Sequence, residues 1–277
     1  MSTSNPPKVL LFDVFGTVLD WQTTIPAGLA AATNEKLNST PGQTSIPSSV
    51  RDLASSSFTT AAQWAPFVNE WDDAYTNFSH SFDPTKDEWI TVTTNNLRTL
   101  KKLLSKYKLE GLFTDDEAAE LNTLWATLDP FPDSAPGIAA LNRKFPTSTL
   151  SNGDVATLVR QAEHAKLPWT HITSSEHFGA YKPNPKVYRG AAEKLGVKTE
   201  ECALVAAHLG DLNGARACGY QTIYVEREGE ERWSEEQIKK AKEEGWVDMW
   251  VSQKDNGFFT VAERFGIKGG SVDPDQS

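Results

Sequence analysis

The chain has 277 residues, of which 39% are hydrophobic and 23% charged, enough for one large domain or for a core with a smaller second unit. Its formal net charge of −10 argues against a surface that binds nucleic acid or an anionic membrane. Cys202 and Cys218 are too few for a disulfide framework, and the N-terminus has no apolar run of signal or membrane-spanning length. We therefore expect a cytoplasmic protein with neither a nucleic-acid nor a membrane partner.

The first third of the chain changes from a strand pattern to helical patterns. The run KVLLFD (8–13) is typical of a short strand, and Gly-Thr breaks it. The clearest helix is predicted over 64–78, where aromatic residues at three- and four-residue spacing form one stripe: Trp64, Phe67, Trp71, Tyr75 and Phe78. The other elements predicted here are helices over 87–107 and 115–127 and a Ser/Thr-rich loop near 38–60.

From Pro130 onward, strand and helix patterns alternate. The predicted strands are 145–154, 171–173, 201–211 and 221–227, and the predicted helices are 155–165, 184–196 and 212–219. This alternation predicts an α/β fold with a parallel sheet covered by helices on both faces. The last residues, 269–277, are predicted to form a flexible tail.

Polar residues follow several of these strand patterns. They are Asp13 with Thr17, the Ser151-Asn152-Gly153 turn, Lys182, and His208 with Asp211. Each has an ordinary structural explanation, such as a turn, a solvated lysine or a helix N-cap. Ligands of parallel sheets, however, bind at the carboxyl ends of the strands. A carboxylate held there by hydroxyl groups, with a lysine that lowers its pKa, is suited to nucleophilic attack.

The segments FDVFGT, TLSNG, YKPNPKVY and VAAHLGDLNGARACGY, in this order, resemble the four motifs of the haloacid dehalogenase (HAD) superfamily. Within it, GTVLDW, LSNG and the AAHxxDL form are most similar to the type II (S)-2-haloacid dehalogenases. The resemblance covers 8–21 and about 130–265. It implies a Rossmann-like core over 1–20 and 130–277, a helical cap over 21–129, and a homodimer, because cap helices in this family often form a dimer.

The resemblance also implies a reaction. Phosphatases of the superfamily carry an acid two residues after the nucleophile, which protonates the leaving group. This chain has Phe15 there, which argues against a phosphatase. Halide needs no proton to leave. The implied reaction is displacement of halide from carbon 2 of a 2-haloacid by Asp13, followed by hydrolysis of the ester to a 2-hydroxy acid, with no metal or other cofactor.

The same resemblance assigns roles to individual residues. Thr17 and Ser151 are expected to hold Asp13, Lys182 to balance its charge, and Asp211 to orient the water. The residues expected to contact the small-molecule substrate are Phe15, Trp71, Asp72, Asn152, Tyr188 and His208.

Ala206, His208, Asp72 and Gly210 depart from the dehalogenase pattern, and the last two are the serious departures. Dehalogenases carry an arginine after the cap aromatic to bind the substrate carboxylate, but Asp72 follows Trp71 here. One charge pair about 4 Å apart is worth roughly 4 kcal/mol at an effective dielectric near 20. If Asp72 faces the site, reversing the sign disfavours an anionic substrate by about twice that. Arg98 or Lys101 is a candidate replacement cation. Gly210 replaces a tryptophan and is expected to widen the pocket.

Three interpretations therefore remain open. The first is a hydrolytic dehalogenase of short 2-haloacids. The second is a dehalogenase-like enzyme for hydrolysis, hydration or isomerisation of a larger, less anionic metabolite, with Asp72 as an acid or base opposite Asp13. The third is a non-catalytic binding protein that retains the fold, against which the intact Asp13, Ser151, Lys182 and Asp211 argue.

Overall fold

The computed structural model describes residues 6–39 and 46–268. The predicted tail, 269–277, and part of the predicted loop, 40–45, lie outside the described residues. The described residues divide into two compact units. The core unit falls within Met1–Asp20, Phe82–Trp89 and Asp129–Ser277, and the helical unit within Trp21–Ser81 and Ile90–Leu128.

The core unit is built on a parallel sheet. Its strands are β1 (Val9–Phe12), β2 (Leu19–Asp20), β3 (Asp129–Pro130), β4 (Thr147–Thr149), β5 (Cys202–Ala206), β6 (Gln221–Val225) and β7 (Met249–Val251). Within the described residues, five of them form one sheet in the order β4-β1-β5-β6-β7 with every neighbouring pair parallel, and β2 pairs antiparallel with β3. The apolar runs of β1 and β5 are buried throughout, as in strands covered on both faces. The predicted α/β fold is confirmed.

The helical unit contains five described α-helices. They are α1 (Trp21–Asn38), α2 (Ser48–Ser57), α3 (Ala61–Ser81), α4 (Val92–Lys106) and α5 (Asp115–Asn122), followed by a 3₁₀ turn over Thr123–Ala126. The predicted aromatic stripe lies on α3, where Trp64, Phe67 and Trp71 are fully buried. The Trp71 indole N–H donates to the carbonyl of Asn96 at 3.0 Å, so this aromatic belongs to the core of the helical unit.

The prediction of a loop near 38–60 is wrong for α2. Serine has only modest helix propensity, and the segment SSVRDLASSS contains five serines. Val50 and Ala54, however, stand one turn apart on α2 and are both buried. Burial of this apolar pair stabilises a helix that local propensity alone does not favour.

The core unit has six further α-helices among the described residues. They are α6 (Ser134–Leu141), α7 (Val155–His164), α8 (Pro185–Lys194), α9 (Leu209–Ala217), α10 (Glu235–Glu244) and α11 (Gly257–Arg264), with 3₁₀ turns over Ser175–Phe178 and Thr199–Glu201. No helix in the described ranges is both long and apolar enough to span a membrane.

The predicted strand over 171–173 is wrong, because only an isolated bridge joins His171 to Ser148 there. The Thr149 hydroxyl accepts from the backbone N–H of Thr173 at 2.9 Å and donates to its carbonyl at 2.9 Å. The Thr149 side chain thus accepts the Thr173 N–H that would otherwise extend a strand ladder.

Candidate active site

The turn after β1 carries the first candidate residues. The backbone N–H of Asp13 donates to the carbonyl of Val205 at 3.0 Å, which extends the β1–β5 ladder by one residue. The Thr17 hydroxyl donates to Asp13 Oδ2 at 2.7 Å and accepts from the backbone N–H of Ala207 at 2.9 Å. The Asp13 carboxylate is therefore fixed at the carboxyl end of β5.

Lys182 connects two carboxylates. Its Nζ donates to Asp13 Oδ1 at 2.9 Å and to Asp211 Oδ2 at 2.5 Å, and the residue is only 7% exposed. Its backbone N–H donates to Asn152 Oδ1 at 2.7 Å, which places the lysine beside the turn after β4. Burial alone lowers the pKa of Lys182, but the charges of Asp13 and Asp211 outweigh it and raise this pKa, so Lys182 is a cation.

Asp211 lies in the first turn of α9. Its Oδ1 accepts from the Tyr188 hydroxyl at 2.6 Å, and Tyr188 is fully buried. Burial raises the pKa of Asp211; the charge of Lys182 acts against this rise and the charge of Asp13 adds to it. Because the Tyr188 hydroxyl donates to Asp211, Tyr188 orients this carboxyl group.

His208, at the N-cap of α9, lies between two carboxylates. Its Nδ1 is 3.0 Å from Asp13 Oδ2, and its Nε2 is 3.3 Å from Glu230 Oε2. Burial alone lowers the pKa of His208, but its hydrogen bonds with Asp13 and Glu230 raise the pKa to about 10. The ring is therefore an imidazolium at neutral pH and donates to both carboxylates.

The Asp13 carboxylate is strongly acidic in this setting. Burial on its own raises the pKa of Asp13, but the Lys182 charge and the hydrogen bond and charge of His208 hold it well below its usual range. Asp13 is consequently ionised and hydrogen-bonded on both oxygens, which is the state that a carboxylate nucleophile requires.

Glu230 also belongs to this cluster, although no sequence motif predicts it as a site residue. It lies in the loop 226–234 after β6, and its side chain is 3% exposed. A Cβ at Gly16, where φ is +71°, would lie 1.9 Å from Glu230 Oε2, so only glycine fits beside this carboxylate. The available signal was the position of the loop, directly after a central strand at the ligand-binding edge of the sheet. Glu230 lies in the charged run EREGEER, and such runs are usually solvated, so the run itself does not indicate a buried acid.

The same loop also holds the N-terminus of α9. Glu231 Oε2 accepts from the backbone N–H of Leu209 at 2.9 Å, and Glu231 Oε1 accepts from that of Trp233 at 2.8 Å. A Cβ at Gly210 would lie 3.5 Å from Trp233 Nε1, an ordinary van der Waals contact. The Trp233 indole therefore borders the space that was expected to be open at Gly210.

The turn after β4 contacts Lys182 and its own backbone. The Ser151 hydroxyl accepts from the backbone N–H of Gly153 at 3.2 Å, and within the described ranges no hydrogen bond joins it to Asp13. Asn152 Oδ1 accepts from Ser175 Oγ at 2.8 Å as well as from Lys182, so this amide positions the lysine.

Phe15 packs beside this turn. A Cβ at Gly153 would meet the Phe15 ring at 3.1 Å, so the phenyl group lies against the glycine.

The other expected substrate contacts belong to the helical unit. Trp71 and Asp72 are adjacent on α3 and both are buried. Lys101, one of the candidate replacement cations, forms an ion pair with Asp115 at 2.7 Å on the surface of that unit, and Arg98 is exposed on α4.

The match to a family model identifies the family. A model of haloacid dehalogenase-like hydrolases matches residues 7–219. The chain belongs to the haloacid dehalogenase-like hydrolase family. Among residues 6–39 and 46–268 of this hydrolase, no group of three or more His, Cys, Asp or Glu side chains is arranged to hold a metal ion.

Relatives of this haloacid dehalogenase-like hydrolase include enzymes of two kinds. An (S)-2-haloacid dehalogenase of Pseudomonas putida is 27% identical over 48% of this chain and 61% of its own length. A glyceraldehyde 3-phosphate phosphatase of Methanopyrus kandleri is 34% identical over 38% of this chain and 47% of its own length. The chain thus spans about half the length of the curated relatives it matches. A crystal structure of an L-2-haloacid dehalogenase is similar in fold, with a TM-score of 0.74 and 24% identity over 95% of this chain and all of the other.

Proposed function

We propose that this hydrolase cleaves the carbon–halide bond of short 2-haloacids, with Asp13 as the nucleophile. The observation that carries the proposal is the setting of Asp13, an ionised carboxylate with Lys182 on one oxygen and Thr17 and His208 on the other. The phenyl ring of Phe15 stands where a phosphatase needs its proton donor, and halide leaves without one. The relatives that are 2-haloacid dehalogenases support the same choice.

The reaction proceeds in two displacements. Asp13 Oδ1 attacks carbon 2, the carbon–halogen bond breaks, and the halide departs with the bonding electron pair. Water then attacks Cγ of Asp13, and the bond between Cγ and Oδ1 breaks. One proton of the water ends on the hydroxyl group of the product and the other passes to solvent. Lys182, which donates to Oδ1, is placed to stabilise the alkoxide that leaves on that oxygen.

Isotope labelling tests the nucleophile directly. In H₂¹⁸O under single-turnover conditions with (S)-2-chloropropionate, we expect chloride release, unlabelled lactate, and one ¹⁸O on the tryptic peptide that contains Asp13. Asp13→Asn should release chloride at least about 10⁴-fold more slowly. If ¹⁸O appears in the lactate of the first turnover, water attacks the substrate directly and the proposal is wrong. If no substrate alters the mass of the Asp13 peptide, the non-catalytic alternative is favoured.

A second candidate is an enzyme of the same family that acts on a larger, less anionic metabolite. The carboxyl groups of Asp13, Asp211 and Glu230 all lie in the core-unit cluster, where they contact Lys182 or His208. An additional negative charge on the substrate is disfavoured there unless another cation binds it. In this alternative Asp72 acts as an acid or base.

A neutral analogue separates the two candidates. The proposed dehalogenase should turn over 2-chloropropionate with a kcat/KM at least about tenfold higher than that for 2-chloropropionamide, which has the same shape without the charge. The reverse preference would support the second candidate. Asp72→Asn is the informative variant, because it should improve turnover of the anion and leave turnover of the amide unchanged if Asp72 acts only through its charge.

A further inference from the structure

The two oxygens of Asp13 have different surroundings. Oδ1 accepts from Lys182 at 2.9 Å, whereas Oδ2 accepts from the Thr17 hydroxyl at 2.7 Å and from His208 Nδ1 at 3.0 Å. Two donors on Oδ2 fix the rotation of the carboxylate. Oδ1 keeps the freer lone pair, which makes it the oxygen that attacks.

Attack by Oδ1 turns Oδ2 from a carboxylate oxygen into the carbonyl oxygen of an ester. In the ester, Oδ2 is the carbonyl oxygen, and attack of water on Cγ moves the carbonyl electron pair onto it. Donors 2.7–3.1 Å from such an oxygen are what an oxyanion hole provides. Thr17 and His208 already occupy this range before substrate is bound.

We propose, on the basis of the function proposed above, that Thr17 and His208 form the oxyanion hole for hydrolysis of the Asp13 ester and that Glu230 is the positioning residue of His208. Glu230 accepts from the far side of the His208 ring at 3.3 Å, which directs Nδ1–H toward Oδ2. Burial of the Glu230 carboxylate against Gly16 holds the acceptor in place.

The charge of the His208 ring makes Glu230 important for hydrolysis of the ester rather than for its formation. Before the reaction, Asp13 and Glu230 both favour the imidazolium. Formation of the ester removes the charge of Asp13, so Glu230 becomes the carboxylate that keeps His208 protonated against burial. Lys182 and Asp211 interact with each other on the Oδ1 side of Asp13.

An oxyanion donor and a general base have opposite requirements. A general base must be neutral before it accepts a proton from water, so ester hydrolysis would become faster as the pH rises through the pKa of the ring. A cationic donor must stay protonated, so ester hydrolysis would become slower over the same range. The sign of the pH dependence therefore distinguishes the two roles of His208.

Glu230→Gln tests the proposal, with Glu228→Gln as the matched control from the same loop, because Glu228 is exposed. Rapid quench with (S)-2-chloropropionate followed by peptide mass spectrometry measures formation and loss of the Asp13 ester separately. For Glu230→Gln at pH 8 we expect ester formation within about threefold of wild type and ester hydrolysis slowed about 10- to 100-fold. Lowering the pH to 6 should restore most of the hydrolysis rate, and Glu228→Gln should behave as wild type.

An NMR titration of the His208 ring supplies a readout that does not depend on turnover. We expect the ring to remain protonated above pH 8 in wild type and to lose its proton at least one pH unit lower in Glu230→Gln. If no ester forms on Asp13 of the wild type, both the proposed function and the proposed oxyanion hole are wrong. A normal ester lifetime in Glu230→Gln, or ester hydrolysis that accelerates as the pH rises through the pKa of His208, would contradict the proposed oxyanion hole. Either result would leave the proposed dehalogenase function intact.

Discussion

The strand ends of the core unit and the loop 226–234 supply charges to the same cluster, but the sequence presents them very differently. Asp13 follows the buried strand β1 directly, and Asp211 follows β5 by a few residues, so a change from apolar to polar residues marks both. Glu230 stands in a run of charged residues in which Glu228 is exposed. Whether an acid in such a run turns inward is decided by a partner elsewhere, in this case His208, which lies 22 residues earlier in the chain.

The comparison also separates two kinds of contribution. Asp13 and Lys182 touch the oxygen on which the proposed displacement occurs, whereas Glu230 and Glu231 act through His208 and the backbone of α9. Substitutions of Asp13 and Lys182 should therefore abolish turnover and destabilise the fold. Substitutions in the loop should change rates and stability by smaller, pH-dependent amounts.

The largest effect is expected for Lys182→Met. This change leaves Asp13 and Asp211 buried without the ammonium group that lies between them. Breaking a buried ion pair by removal of one partner typically costs about 3–5 kcal/mol, and we expect a loss of that size in the free energy of unfolding at pH 8. The loss should shrink toward pH 5, because one carboxyl group of the pair can then bind a proton. Urea denaturation at the two pH values measures both expectations.

Lys186→Met is the control for this prediction, since Lys186 is exposed only four residues further along the chain. We expect it to change the free energy of unfolding by less than about 0.5 kcal/mol and to leave chloride release unaltered. Chloride release by Lys182→Met should fall roughly 10³-fold. A Lys182→Met protein as stable as wild type at pH 8 would show that the two carboxylates do not depend on this cation.

The same contrast explains what could be predicted from the sequence. Long apolar runs and helical periodicity report on local structure, so they locate β1, β5 and α3 and the polar groups that follow the strands. They do not report which side chain meets which across the fold. Asn152 and Ser151 therefore lie near the expected place but bond to Lys182 and Gly153. The position of the loop after β6 was the only signal for Glu230, and the charged run around it does not distinguish this acid from its neighbours. The helix α2 was missed for the same reason, because tertiary burial outweighs the composition of the segment.

A smaller, pH-dependent effect is expected for His208→Gln. A raised folded-state pKa stabilises the protein fully below the ordinary value of 6.5, and this stabilisation is lost as the pH rises toward about 10. Wild type should therefore exceed His208→Gln in free energy of unfolding most clearly at pH 6. The difference should decline between pH 7 and pH 9 by on the order of 1.4 kcal/mol per pH unit at most, since one proton is involved.

Urea denaturation of both proteins at pH 6, 7, 8 and 9 measures this decline, and His164→Gln serves as the control because His164 is an exposed histidine of α7. As a surface substitution, the control should change the free energy of unfolding by less than about 0.5 kcal/mol. A difference between wild type and His208→Gln that does not vary with pH would mean that the His208 ring is equally protonated in the folded and unfolded states, against the placement of His208 between Asp13 and Glu230.

The smallest effect is expected for Glu231→Ala, which removes the acceptor of the Leu209 backbone N–H at the start of α9. A lost helix N-terminal acceptor costs about 1 kcal/mol, partly through the helix dipole, so the free energy of unfolding should fall by that amount. Because Asp211 lies in the same first turn, kcat for chloride release should fall about two- to fivefold. Glu228→Ala, in the exposed part of the loop, should change neither quantity. Equal behaviour of the two variants would mean that Glu231 is an ordinary surface acid, and that the contribution of the loop is limited to Glu230.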